Sequence, residues 1–150
     1  MTVTVEDASV KYLKRLYEIE MECFDEEAFT KKQIVQLLKD YNSISLVAKE
    51  NGMIVGFIVG MIYPDRKAVN GHILTIDVSP SYRRKGIAQM LLQEIESVFA
   101  QIGVQACLLE VREDNVAAIS LYQKLGYKEI GRLENYYGNA PGIYLKKVLG

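Results

Sequence analysis

The feature that most constrains this chain is the passage from Val78 to Ala88, where an apolar run gives way to a basic, glycine-containing turn that opens a helical pattern. His72 to Val78 reads as a strand, which Pro80 helps to end. From about Arg84 to Ala100, Ile87, Leu91, Ile95 and Val98 recur on one helical face until Gly103 breaks the segment. The first amides of a helix lack intrahelical partners, and the helix dipole favours an anion beside them. Gly86 and Ala88 keep bulk away from that backbone, while Arg83, Arg84 and Lys85 add charge. The turn suits a pyrophosphate. The plainer alternative is a basic helix start on a solvated face, although cations there oppose the dipole. No GxxxxGK(S/T) run exists, which excludes a Walker-type loop, and no GxGxxG follows the first strand, which excludes the dinucleotide fingerprint.

The rest of the chain alternates strand and helix signals around this passage. Val3 to Glu6 reads as a short strand. Asp7 or Ser9 can cap a helix running to about Phe24, with Leu13, Leu16, Tyr17, Glu20 and Phe24 at helical spacing. Asp25-Glu26-Glu27 interrupts it, and Thr30 with Gln33 forms a capping box for a second helix to about Lys39. Ile44 to Lys49 and Met53 to Tyr63 are strands around Asn51-Gly52, a pair that accepts the positive φ angles of a hairpin turn. Pro64 to Asn70 is a polar loop. Val104 to Val111 is a strand, and Asn115 to Leu125 a helix that stops at Gly126, with Tyr127 packing back. Two final strands flank a loop around Tyr136 to Pro141. Strand-helix-strand units imply parallel pairing and the hairpin implies antiparallel pairing, so a mixed α/β sheet is expected.

Composition narrows the function classes. The 150 residues fit one domain, 1–150. Net charge is -1, which argues against a broad nucleic-acid surface but leaves room for a local basic pocket. The start, Met1 to Glu6, lacks a signal pattern, and the apolar run Met53 to Tyr63 is too short to span a bilayer. No membrane association is expected, and the expected compartment is the cytoplasm. Cys23 and Cys107 form no CxxC pair and read as reduced thiols in or near the core. His72 is the only histidine and lacks partners at ligand spacing, so no metal is expected.

Two segments together resemble a known family. Val78 to Ala88 resembles the coenzyme-binding motif of the GNAT superfamily of N-acetyltransferases, with the pattern R/Q-x-x-G-x-G/A. Asn115-Val116-Ala117-Ala118-Ile119-Ser120-Leu121-Tyr122-Gln123-Lys124-Leu125-Gly126-Tyr127 resembles the family's second motif, at the usual spacing. Leu109-Glu110-Val111-Arg112 followed by Asn115, and Arg132-Leu133-Glu134-Asn135-Tyr136-Tyr137, resemble protein N-terminal acetyltransferases of the ribosomal-protein alanine and archaeal types. The resemblance implies a mixed, mostly antiparallel sheet of about seven strands flanked by about four helices. It implies acetyl-CoA as cosubstrate, held by Ile76, Asp77, Val78, Arg83, Arg84, Lys85, Gly86, Ile87, Ala88, Asn115 and Tyr122. The implied acceptors are protein or peptide N-termini, with a ribosome or auxiliary subunit as further partner. Glu20, Phe24, Tyr136 and Tyr137 are then the residues facing the peptide, against the plainer readings of Glu20 as a helix-surface carboxylate and of Tyr136 and Tyr137 as a hydrophobic loop anchor. One departure is the loop Cys23 to Phe29, which lacks the F-P-x-x-W/Y sequence of relatives.

Acetyl transfer to an amine needs a neutral nucleophile, a polarised thioester carbonyl and a proton for the leaving thiolate. An α-amine, with a pKa of about 8, is deprotonated far more easily than a lysine at about 10.4. A weak base working through water suffices. The resemblance makes Glu110 that base; the alternative is a strand carboxylate paired with a cation such as Arg112. His72 could hold the same water, sharing a face with Leu74, Ile76 and Val78, or be a hydrogen-bonded strand histidine. Tyr122 is the candidate acid, since a phenol of pKa about 10 can protonate a thiolate whose acid is near 8.5; it could equally pack against the sheet. Asn115 can bond the pantetheine arm or cap its helix. Backbone near Val78 is implied to polarise the carbonyl. Cys107, inside an apolar strand, reads as core, which favours direct transfer over an acetyl-cysteine route. Two other functions are compatible with these residues: a lysine or small-amine acetyltransferase, and a non-catalytic acyl-CoA-binding regulatory module.

Overall fold

The computed structural model describes residues 2–24, 26–64, 67–134, 136 and 140–150. In chain order the elements are β1 (Val3–Asp7), α1 (Leu13–Cys23), α2 (Lys31–Lys39), β2 (Ser43–Glu50), β3 (Met53–Pro64), β4 (Val69–Val78), α3 (Ile87–Gln101), β5 (Ala106–Arg112), α4 (Val116–Lys124), β6 (Lys128–Leu133) and β7 (Gly142–Val148). The strands form one seven-stranded sheet in the order β1-β2-β3-β4-β5-β7-β6. β4 and β5 pair in parallel, and the other described neighbours pair antiparallel. The expected mixed, mostly antiparallel sheet with four helices is what forms.

Local chemistry sets several element ends. Asn51 (φ 51°) and Gly52 (φ 80°) both take the left-handed conformation that joins β2 to β3. Thr30 and Gln33 exchange both capping-box hydrogen bonds ahead of α2. After α4, Gly126 sits at φ 101°, its N–H donating to the Gln123 carbonyl at 3.1 Å and that of Tyr127 to the Tyr122 carbonyl at 3.0 Å. These two bonds satisfy the orphan carbonyls of the last turn.

Two layers of helix cover the sheet. On one face α1 and α2 bury Leu16, Ile19 and Ile34 against Val47, Phe57 and Val59. On the other, α3 and α4 bury Leu91, Ile95, Phe99 and Tyr122 against Ile73, Leu109 and Leu145. Phe99 lies so close to the strands that only glycine fits beneath it. A Cβ on Gly71 would stand 2.6 Å from its ring, and one on Gly60 2.7 Å. No helix among the described residues is long and apolar enough to cross a membrane.

The structure corrects four expectations. α3 starts at Ile87, not Arg84, because Arg84 (φ 62°) and Gly86 (φ 79°) adopt left-handed backbone that a right-handed helix cannot contain. Asp7 belongs to β1, and Ser9 caps a 3-10 turn, Val10–Tyr12, that leads into α1. β3 runs to Pro64 and β4 begins at Val69, so the polar loop expected over Pro64 to Asn70 is shorter at both ends. The fourth concerns His72. Val59 pairs with Thr75 and Gly60 with Ile73, which leaves Leu74 as an extra residue in β4. Such a bulge reverses the alternation beyond it. His72 and Leu74 therefore face the α1 side, while Ile76 and Val78 turn to the α3 side.

The two outer strands differ from the interior ones. β1 is five residues long and ends in Glu6 and Asp7. β6 begins with Lys128 and is bulged between Glu129 and Gly131.

Candidate active site

The site forms where β4 and β5 stop pairing. Their ladder comprises Asn70–Ala106, Gly71–Cys107 and His72–Leu108, although β4 continues to Val78 and β5 to Arg112. On the other side of β4, the Ser79 N–H donates to the Val55 carbonyl at 2.9 Å, flanking the Gly56–Val78 pair. In an antiparallel ladder this marks a non-hydrogen-bonded pair, so the N–H and C=O of Val78 turn away from β3 and into the gap. The Val78 carbonyl there accepts from Cys23 Sγ at 3.4 Å and Arg83 Nε at 3.2 Å.

On the α1 side lies a cavity of about 260 Å³. Glu110 of β5 and His72 of β4 meet in it, with Nε2 and Oε2 2.5 Å apart. The three-pair ladder aligns them, since His72 stands opposite Leu108, two residues from Glu110 on the same strand face. Tyr136 reaches the same carboxylate: burial first, then the Glu110 charge and its hydrogen bond to Glu110 push the Tyr136 phenol up. Glu20 and Phe24 complete the expected set on this wall. Tyr137 lies outside the described residues. Arg112, considered as a partner for Glu110, instead binds Glu27 at 2.8 Å and Asp114 at 3.0 Å.

The second cavity, about 180 Å³, opens on the α3 side and is lined by Val78, Arg83, Arg84, Gly86, Ile87 and Ala88, with Leu121 of α4 opposite. Nothing lies within 4 Å of where a Cβ on Gly86 would point, so the backbone at the helix start is open to a ligand. Two arginines beside free helix amides fit a pyrophosphate. Lys85 stacks its ammonium 5.2 Å from the Tyr82 ring centre instead of lining this cavity. Ile76 packs into the α3-side core, and Asp77 is buried toward α1. The Asn115 side chain accepts from the Ala118 N–H at 3.2 Å, which is the capping role. Tyr122 is buried edge-on against Tyr127, ring centres 6.0 Å apart. Burial, above all, holds its phenol above its ordinary value.

Glu27, Phe29, Leu74 and Thr75 also line the α1-side cavity, and the sequence reading did not single them out. Leu74 and Thr75 both face it only because of the bulge, which leaves no sequence mark. Phe29 had a signal: it is the aromatic residue immediately before the Thr30 cap. Cys107 is fully buried and its thiol is pushed up to about 12 by burial, as a core role requires. Among the described residues no cluster of His, Cys, Asp or Glu could hold a metal ion.

Comparison with known proteins agrees with this geometry. The profile of the acetyltransferase (GNAT) family matches residues 13–127. An N-alpha-acetyltransferase of Sulfurisphaera tokodaii is 36% identical over 120 residues, 74% of this chain and 72% of that protein. The crystal structure of Ard1 from Thermoplasma volcanium superposes with a TM-score of 0.89 at 27% identity, covering 99% of this chain and 98% of the other. Arabidopsis thaliana NAA60 in complex with acetyl-CoA has the same fold, with a TM-score of 0.85 at 20% identity over 98% of each chain.

Proposed function

The chain belongs to the acetyltransferase (GNAT) family, and from that premise we propose that it transfers acetyl from acetyl-CoA to the free N-terminal amine of proteins or peptides, directly within a ternary complex. The observation that carries this reading is the pair of cavities on the two faces of the sheet where β4 and β5 part, a basic one lined by Val78 and the start of α3 and one holding the Glu110–His72 pair. The relatives named for N-alpha-acetylation point to the same acceptor.

Acetyl-CoA supplies an activated acetyl thioester; the protein positions it and handles protons. Arg83, Arg84 and the amides opening α3 bind the pyrophosphate. The Val78 N–H, aimed into the gap, is placed to polarise the carbonyl. Glu110, oriented by His72 and Tyr136, takes a proton from the amine, directly or through one water. Tyr122, a phenol that is protonated near neutral pH, is the donor assigned to the leaving thiolate. Phe24 and Tyr136 flank the peptide N-terminus. Residues 1–150 act as one acetyltransferase domain, in the reducing cytoplasm, on free chains or nascent chains at the ribosome with or without an auxiliary subunit.

The test compares peptides with free and blocked N-termini, all containing lysine, in a discontinuous acetyl-transfer assay. Free termini should be modified and blocked ones not. Equal modification of both would refute the α-amine reading.

A further inference from the structure

Beneath the amine cavity lie two carboxyl groups that share one hydroxyl. Glu20 and Asp77 are each 1% exposed. Thr75 Oγ1 stands 3.1 Å from Glu20 Oε1 and 2.5 Å from Asp77 Oδ1. A hydroxyl has one proton and donates to one of them; the other contact needs a proton on the carboxyl itself. Neither carboxyl has an ion-pair partner among the described residues. Two adjacent carboxylates in such a place do not both ionise.

The remaining hydrogen bonds decide which one holds the proton. Glu20 uses both oxygens as acceptors, Oε1 from Thr75 and Oε2 from the Phe29 N–H at 2.9 Å. Asp77 Oδ2 is buried with no hydrogen-bond partner among the described residues. A charge on Asp77 would leave an unsolvated anionic oxygen, whereas a charge on Glu20 leaves none. The proton therefore sits on Asp77 Oδ1 and is donated to Thr75 Oγ1, and the Thr75 hydroxyl is donated to Glu20.

We infer that Asp77 is a positioning residue, a neutral carboxylic acid at physiological pH whose hydrogen bond through Thr75 holds Glu20 as the pair's single anion at the wall of the amine cavity. Burial first, then the hydrogen bond and charge of Glu20, raise Asp77 well above the ordinary carboxylate range. The groups acting on it are Glu20 and Cys23 from α1, Arg83 from the turn before α3 and Tyr122 from α4. The consequence lies in the wall itself. Glu20 ties α1 to the Phe29 backbone, and Glu20, Thr75 and Phe29 all line the cavity. Ionisation of Asp77, as pH rises through its raised value, sets two anions against each other and loosens that wall, which raises the peptide KM. The sign for folding follows: Asp77 binds its proton more tightly folded than unfolded, so its contribution to stability is complete below the unfolded carboxylate pKa of about 4 and is lost as pH rises through its raised value.

Infrared spectroscopy of the intact protein tests the protonation without reference to activity. Wild type should show a protonated-carboxyl C=O band at neutral pH. Asp77→Asn should abolish it, and Glu20→Gln should move its titration to lower pH by removing the like charge. Absence of the band, or a band that survives Asp77→Asn, would overturn the inference. The kinetic readout rests on the acetyl-transfer reading above. Asp77→Asn keeps a donor to Thr75 and should retain the peptide KM while flattening the alkaline limb; Asp77→Ala should raise that KM about tenfold. Equal damage from both variants would also overturn it. A correct band in a protein that acetylates no α-amine would refute the proposed function and leave the proton assignment standing.

Discussion

Replacing Gly71 by alanine should weaken both the fold and the catalytic alignment, and the structure sets the scale. The new Cβ would lie 2.6, 2.8 and 3.0 Å from three ring carbons of Phe99. Carbon atoms prefer about 3.5 to 4.0 Å, so strand and ring must separate by roughly 1 Å. The ring is fully buried, so it yields only by displacing its own neighbours. Overpacking of this kind costs about 1 to 3 kcal/mol. At about 2 to 4 °C per kcal/mol for a chain of this size, Tm should fall by roughly 2 to 12 °C. Gly71 is also the middle rung of the short β4–β5 ladder, beside His72. A shift there lengthens the 2.5 Å contact between His72 and Glu110. Misplacement of about 1 Å can cost up to about 100-fold in rate. Calorimetry and acetyl-transfer kinetics on the same preparation check both effects. Gly131→Ala, whose nearest neighbour would be the Tyr144 Cβ at 3.8 Å, is the control and should change little. A Gly71→Ala protein with wild-type Tm would refute the packing argument.

Three further substitutions address the site. Glu110→Gln should slow turnover about 100-fold, the lower end for loss of a general base, with the deficit shrinking as pH rises past the α-amine pKa; an unchanged pH-rate profile would remove Glu110 from the role. Tyr122→Phe should lower kcat with little change in the Kd for acetyl-CoA, measured by calorimetric titration, and kcat equal to wild type would return Tyr122 to a packing role. Arg84→Gly should relieve about 1 kcal/mol of left-handed backbone strain while raising the KM for acetyl-CoA; a lower Tm with unchanged KM would contradict both halves.

The sequence was most legible where a few adjacent residues decide the outcome. Asn51-Gly52, the Thr30–Gln33 box and the stop at Gly126 all act within a turn, and all three formed as read. The Glu110–His72 meeting was partly legible, because the resemblance named the acid and composition left a single histidine. What could not be read depends on partners distant in sequence. The extra residue at Leu74 is visible only against β3, and it moved Ile76 and Val78 to the opposite face. The placing of β7 between β5 and β6 is likewise a choice of the whole sheet. Asp77 was assigned to the coenzyme by resemblance, yet it lies 57 residues along the chain from Glu20, which gives it its chemistry.

The sheet's two margins and its central seam invite opposite outcomes in a crowded cell. β1 is short and ends in acidic residues, while β6 carries Lys128 and a bulge; each discourages another chain from adding a strand and starting aggregation. The seam beyond His72, where β4 and β5 part, lies instead between the helices that cover the two faces of the sheet. The protein thus keeps this break in its hydrogen-bonding ladder indoors, with the Val78 carbonyl already taken by Cys23 and Arg83, where a neighbouring strand does not meet it.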